Sequence, residues 1–174
     1  MYFHVERIGE MSVPLNEKDE RYGKETLEFL KKFTMITDGY QKKYYQRMLS
    51  DARVVKCSSV FDVLSEDDIL KIKRNARPKM KECYRNAYLA TQCGIPDMLY
   101  CEGYTTCMGL PIEHAFNKIG DMYIDITAEL VLDRDVSDDE YVVIGEYTPK
   151  EAFDVMGETG YYGGVYNELF RRSI

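Results

Sequence analysis

The chain has 174 residues, 45% of them hydrophobic, which is enough for one domain with a real core. A net charge of −7 argues against nucleic acid or an anionic membrane as partner. No run of about 18 apolar residues occurs, so no membrane span is expected. Met1 to Arg7 lacks the charged-then-apolar pattern of a secretory leader. Five cysteines without such a leader fit free thiols in a reducing cytosol.

Met1 to Ile8 reads as a short strand, and Pro14 and Asn16 mark a loop. From Lys24 the spacing of Leu27, Leu30 and Phe33 predicts a helix. Asp38-Gly39 breaks it, and Tyr40 to Leu49 resumes it. Lys42, Lys43 and Arg47 there form a solvated basic face rather than a binding patch. Val54 to Val63 suggests an irregular connection. Ser65, with Asp68 three residues on, reads as a capping box opening a helix that Arg77-Pro78 stops.

Pro78 is well placed to start the next helix, from about Lys79 to Gln92, ended by Gly94-Ile95-Pro96. Its apolar side would carry Met80, Cys83, Ala87 and Ala90. Strands are expected at about 98–104, 112–118, 122–128 and 141–147. Thr148-Pro149-Lys150-Glu151 is a second capping box, opening a helix over about 149–156. A Gly/Tyr-rich segment, 160–166, reads as a packed loop or a flap before a last turn at 167–172. The fold class implied is α+β in a single domain over 1–174, with a helical part to about residue 95 and a sheet part after it.

The stretch Leu110 to Thr127 carries the chemistry. A turn at Ile119-Gly120 sets His114 opposite Asp125; a turn at Gly120-Asp121 sets it opposite Thr127 and diagonal to Asp125. In both registers period-2 alternation puts His114 and Asp125 on one sheet face. Glu102 and Glu113 are then solvent or rim residues. His4 and His114 are the chain's two histidines, and His4 lies in an unpatterned segment, so histidine chemistry falls on His114. Among Cys57, Cys83, Cys93, Cys101 and Cys107, Cys83 is the one expected near a helix N-terminus. There the unpaired N–H groups and the helix dipole stabilise a thiolate. The plain alternative is that Cys83 and His114 are ordinary core residues. Cysteine spacings of 26, 10, 8 and 6 contain no C-x-x-C pair, so a metal site is not expected. No cofactor-binding loop is recognisable either.

Cys83-Tyr84-Arg85-Asn86-Ala87, then Tyr100 to Tyr104, then Ile112-Glu113-His114-Ala115-Phe116, then Tyr123-Ile124-Asp125-Ile126-Thr127 resemble a known pattern. It is that of the transglutaminase-like branch of the papain-like superfamily, and most resembles small single-domain members from bacteriophage and bacteria. The likeness covers about residues 78–128. It departs at Ile126, where proline is common, and in lacking an evident side-chain oxyanion donor. Asn75 is the side-chain candidate for that role, and the Cys83 backbone N–H the alternative. The resemblance implies N-terminal helices packed on an antiparallel sheet, with the nucleophile helix against it. It implies Cys83 as nucleophile, His114 as general base and acid, and Asp125 as the residue orienting His114. The expected activity is hydrolysis or acyl transfer at an amide or isopeptide bond through a thioester, on a protein, a peptide or a small amide, in the cytoplasm. For a phage-encoded chain that would be the host cytoplasm. The competing expectation is a binding or counter-defence protein that keeps the fold without the catalysis.

Overall fold

The computed structural model describes residues 24–107 and 110–174. The strand expected at Met1 to Ile8 and the loop at Pro14 and Asn16 lie outside them, as does the side chain of Cys107. The leucine spacing forms α1 (Lys24–Ile36), and α2 (Gly39–Asp51) follows. These helices bury Leu30 and Met48 and leave Lys42, Lys43 and Arg47 exposed. The connection read as irregular holds a three-residue strand, β1 (Arg53–Val55), and a single turn, α3 (Val60–Val63). The Ser65 hydroxyl accepts the Asp68 N–H at 3.1 Å and so caps α4 (Glu66–Lys71). A π-helical turn, Ile72–Ala76, prolongs α4, and Arg77 ends it in the left-handed region just before Pro78.

The next helix, α5, spans Cys83–Thr91 and starts four residues later than expected. Pro78 does not open it. Instead the chain turns through Lys79 to Glu82, with Lys81 at φ 63°. Asn86 holds that turn: its Oδ1 accepts the Lys79 N–H at 2.9 Å, and its Nδ2 donates to the Lys79 carbonyl at 2.7 Å. Met80, expected on the apolar side of the helix, is consequently exposed. Cys83 becomes the first residue of α5.

Four further strands follow: β2 (Met98–Cys107), β3 (Leu110–Ile119), β4 (Met122–Ile124) and β5 (Tyr141–Tyr147). With β1 they form one sheet in the order β1-β5-β2-β3-β4, every pair antiparallel. Five strands stand where four were expected, because β1 from the N-terminal half pairs with β5. The expected split at residue 95 does not describe the assembly. The C-terminal part also supplies three helices: α6 (Ile126–Leu130), α7 (Pro149–Thr159) and α8 (Val165–Arg172). Glycine is required in β2 at Gly103, where a Cβ would sit 1.9 Å from the Val142 carbonyl oxygen.

Two faces of the sheet bury different cores. Ala115 of β3 and Tyr100 and Tyr104 of β2 pack with Leu30, Met48, Ala87 and Val155 from the covering helices. On the other face Cys101, Phe116, Tyr123, Tyr141 and Val143 pack with Ala128 and Val136. A third cluster joins Val60, Ile69, Ile72 and Ala76 to Ala90, Ile124 and Ile126. Asn117 of β3 ties α5 to the sheet by donating to the carbonyls of Ala87 and Leu99, at 2.9 and 3.1 Å.

Candidate active site

The hairpin takes the second of the two registers. Ile119 pairs with Met122 and Asn117 with Ile124, so Gly120 and Asp121 form the turn, with Gly120 at φ 56°. β4 stops at Ile124, and the strand expected to run to about residue 128 becomes helix instead. The cause is local. Asp125 is an N-cap residue whose Oδ1 accepts the Ala128 N–H at 2.9 Å, which converts the chain to α6. Residues 110–116 of β3 therefore pair on the β2 side alone. The N-terminus of α5 meets β3 at that free edge, where the Ala115 N–H reaches the Cys83 sulfur.

His114 is buried beside Phe116 and Tyr141. Its Nε2 lies 2.6 Å from Asp125 Oδ2, which leaves the other ring nitrogen for the Cys83 thiol, with which His114 also hydrogen-bonds. Asp125 is fully buried, and its Oδ2 accepts the Tyr141 hydroxyl at 2.8 Å as well. Desolvation would raise this carboxyl, but the charge and hydrogen bond of His114 prevail and hold it below the usual carboxylate value. Desolvation likewise pushes His114 down, yet Asp125 and Cys83 outweigh it and raise the imidazole to about 10.

Cys83 is half-buried. Burial pushes its thiol up, but His114 and the N–H groups of Ala115 and Tyr84 bring it below the ordinary thiol value. Cys57, Cys93 and Cys101 behave oppositely: burial raises each of them. Among the four cysteines whose side chains are described, Cys83 alone is arranged as a thiolate beside an imidazolium.

Asn75 does not join this group. It is exposed on the π-helical turn and makes no hydrogen bond to Cys83, His114 or Asp125. The unpaired backbone N–H of Cys83, at the first position of α5, is the donor placed for an oxyanion. Glu102 corrects a second expectation, because it is 4% exposed rather than at the rim. Its carboxylate accepts the N–H groups of Val165 and Tyr166, at 3.0 and 2.9 Å, and so caps α8. Glu113 is exposed, as expected.

Three contributors went unread in the sequence. Asn86 positions the turn before the nucleophile and also donates to the Thr127 hydroxyl at 3.1 Å, linking α5 to α6. An asparagine inside a helix is a poor helix former, and that was the one signal available. Tyr141 read simply as the start of a strand. The Ala115 N–H has no side-chain signature.

Among the described residues no group of three or more His, Cys, Asp or Glu is placed to hold a metal ion, and no helix is long and apolar enough to cross a membrane. No family model, curated protein or solved structure matches the chain. The functional reading rests on the geometry.

Proposed function

We propose that this chain is a cysteine-dependent hydrolase or acyltransferase acting at an amide or isopeptide bond in the cytoplasm. The observation that carries the reading is the Cys83 thiol at the first position of α5, bonded to a histidine whose Nε2 is held 2.6 Å from a fully buried carboxylate. Helix-borne cysteine, then histidine on a strand, then aspartate at the end of the next strand follow one another as in papain- and transglutaminase-like enzymes. That architecture is part of the proposal.

In the proposed reaction the Cys83 thiolate attacks the carbonyl carbon, and the oxyanion forms against the Cys83 N–H. The His114 imidazolium passes its proton to the leaving nitrogen, the C–N bond breaks, and a thioester remains. Neutral His114 then takes a proton from water or an incoming amine, whose oxygen or nitrogen attacks the thioester. Collapse releases an acid or a new amide and restores the thiolate. Throughout, Asp125 stabilises the cationic ring and fixes which nitrogen faces the sulfur.

Iodoacetamide tests the nucleophile. At neutral pH it is expected to label Cys83 ahead of the other four cysteines, and His114→Ala should slow that labelling on the order of tenfold. Labelling of Cys83 no faster than of Cys57 or Cys93 would sink the reading.

A further inference from the structure

The approach to Cys83 is cationic in a chain that is otherwise acidic. Residues 71–85 hold seven of the 23 Lys and Arg residues and a single acid, Glu82, in a chain of net charge −7. Lys71 is engaged by Asp67 and Asp68, at 2.8 and 2.9 Å. Lys73, Arg74, Arg77 and Lys81 are exposed and make no ion pair among the described residues. Lys79, Lys81 and Arg85 line a groove of about 490 Å³ together with Glu82, Tyr84 and Tyr162. Glu82 reaches Arg85 at 3.5 Å and Lys79 at 3.9 Å, so it offsets part of this charge and leaves an excess.

Two of the groove's lining residues, Glu82 and Tyr84, flank Cys83 in the chain. Its lip is the turn from Arg77 to Glu82, in which Arg77 and Lys81 both hold positive φ, at 49° and 63°. Such conformations cost free energy in residues other than glycine and persist where the surroundings impose them. Asn86 pins the backbone between them through both its bonds to Lys79. Solvation accounts for an exposed lysine on a convex surface. It does not account for three cations sharing one carboxylate, Glu82, in a concavity that two tyrosines also line.

Resting on the thiol chemistry proposed above, we infer that this groove binds an acidic polypeptide segment, so that the amide presented to Cys83 is flanked by Asp or Glu side chains. The fit is one of charge complementarity. Carboxylates pair with Lys79, Lys81 and Arg85, and the stems of the segment lie on Tyr84 and Tyr162. A polynucleotide is disfavoured because its charge is uninterrupted and would run past the groove onto a chain that, beyond residues 71–85, carries more acid than base, whereas a polypeptide needs acids only where it meets the groove.

Fluorescence anisotropy with labelled decaglutamate and labelled decathymidylate decides between them. Decaglutamate is expected to bind the intact chain at low salt and to be released at about 0.5 M salt, where charges are screened within a few ångströms. Lys79→Gln with Lys81→Asn should weaken binding by about three- to tenfold; asparagine is chosen because it tolerates positive φ. Lys42→Gln with Lys43→Gln removes the same charge from the exposed face of α2 and should leave Kd as it was. No binding of decaglutamate overturns the inference, and so does equal weakening by both double variants. Binding of decathymidylate in preference assigns the groove to nucleic acid and also overturns it. Anisotropy does not depend on thiol reactivity. Decaglutamate binding with an inert Cys83 would therefore uphold the groove and strike at the proposed reaction alone.

Discussion

The described cysteines differ in what meets their sulfur rather than in burial alone. Cys101 and Cys93 sit in apolar cores, where desolvation outweighs the few groups that favour a negative charge. Cys83 gives up some burial and gains two backbone N–H groups and an imidazolium. The imidazolium in turn depends on Asp125. In Asp125→Asn, His114 loses the charge that holds it near 10, and burial then lowers it. Iodoacetamide labelling at pH 7 should slow, recovering only as the pH nears the ordinary thiol value of 9.0; a rate profile identical to that of the unaltered chain would contradict this. Stability carries the same signature. His114 is raised above the ordinary imidazole value of 6.5, so its contribution is complete below 6.5 and is lost as pH rises through about 10. Asp125 is lowered, so its contribution is complete above 3.8 and is lost as pH falls through its folded value. Urea unfolding at pH 5, 8 and 10 is expected to show the His114 share declining across the series.

Elements were legible where their signals are local. The Thr148 capping box, the Ser65 cap and the leucine-spaced α1 formed close to where the residues placed them, because each depends on neighbours within a turn. The pairing of His114 with Asp125 was legible because alternation puts them on one face in either register. What was hidden depends on distant partners. Pro78 fits the start of a helix, yet a side chain eight residues later, Asn86, bonds the backbone at Lys79 and delays α5 to Cys83. Glu102 looked like a surface residue, since the helix terminus that needs its carboxylate lies more than 60 residues away. Asn86→Leu keeps the helix and removes three hydrogen bonds from a fully buried site. It is expected to cost about 2–3 kcal/mol in chemical denaturation and to slow Cys83 alkylation, whereas a helix-surface change such as Gln46→Leu should do neither.

The molecule is assembled from interleaved halves. β1 borders the sheet through β5, Cys57 bridges to Tyr123, and Thr26 of α1 donates to Glu140 at 3.2 Å. Long-range ties of this kind cross residue 95 in several places, so neither side of it has a complete core. A fragment beginning at residue 96 lacks α1, α2 and α5, leaving Tyr104, Ala115 and Val142 without Leu30, Met48 and Ala87. It is expected to lack a cooperative thermal transition by circular dichroism, while the full chain shows a single one. None of these ties was visible in the sequence, because β1 is three residues long and its pairing partner lies almost 90 residues away.

The two oxygens of Asp125 are divided between tasks: Oδ1 begins α6, and Oδ2 faces His114 and Tyr141. That division constrains how the sequence can drift. A lineage released from selection for chemistry would be free to lose the cysteine and the histidine. Position 125 would still be confined to residues that accept an N–H at a helix start, Asp, Asn, Ser or Thr. Retention of a capping residue there, with Cys83 or His114 gone, is the mark such a descendant would carry.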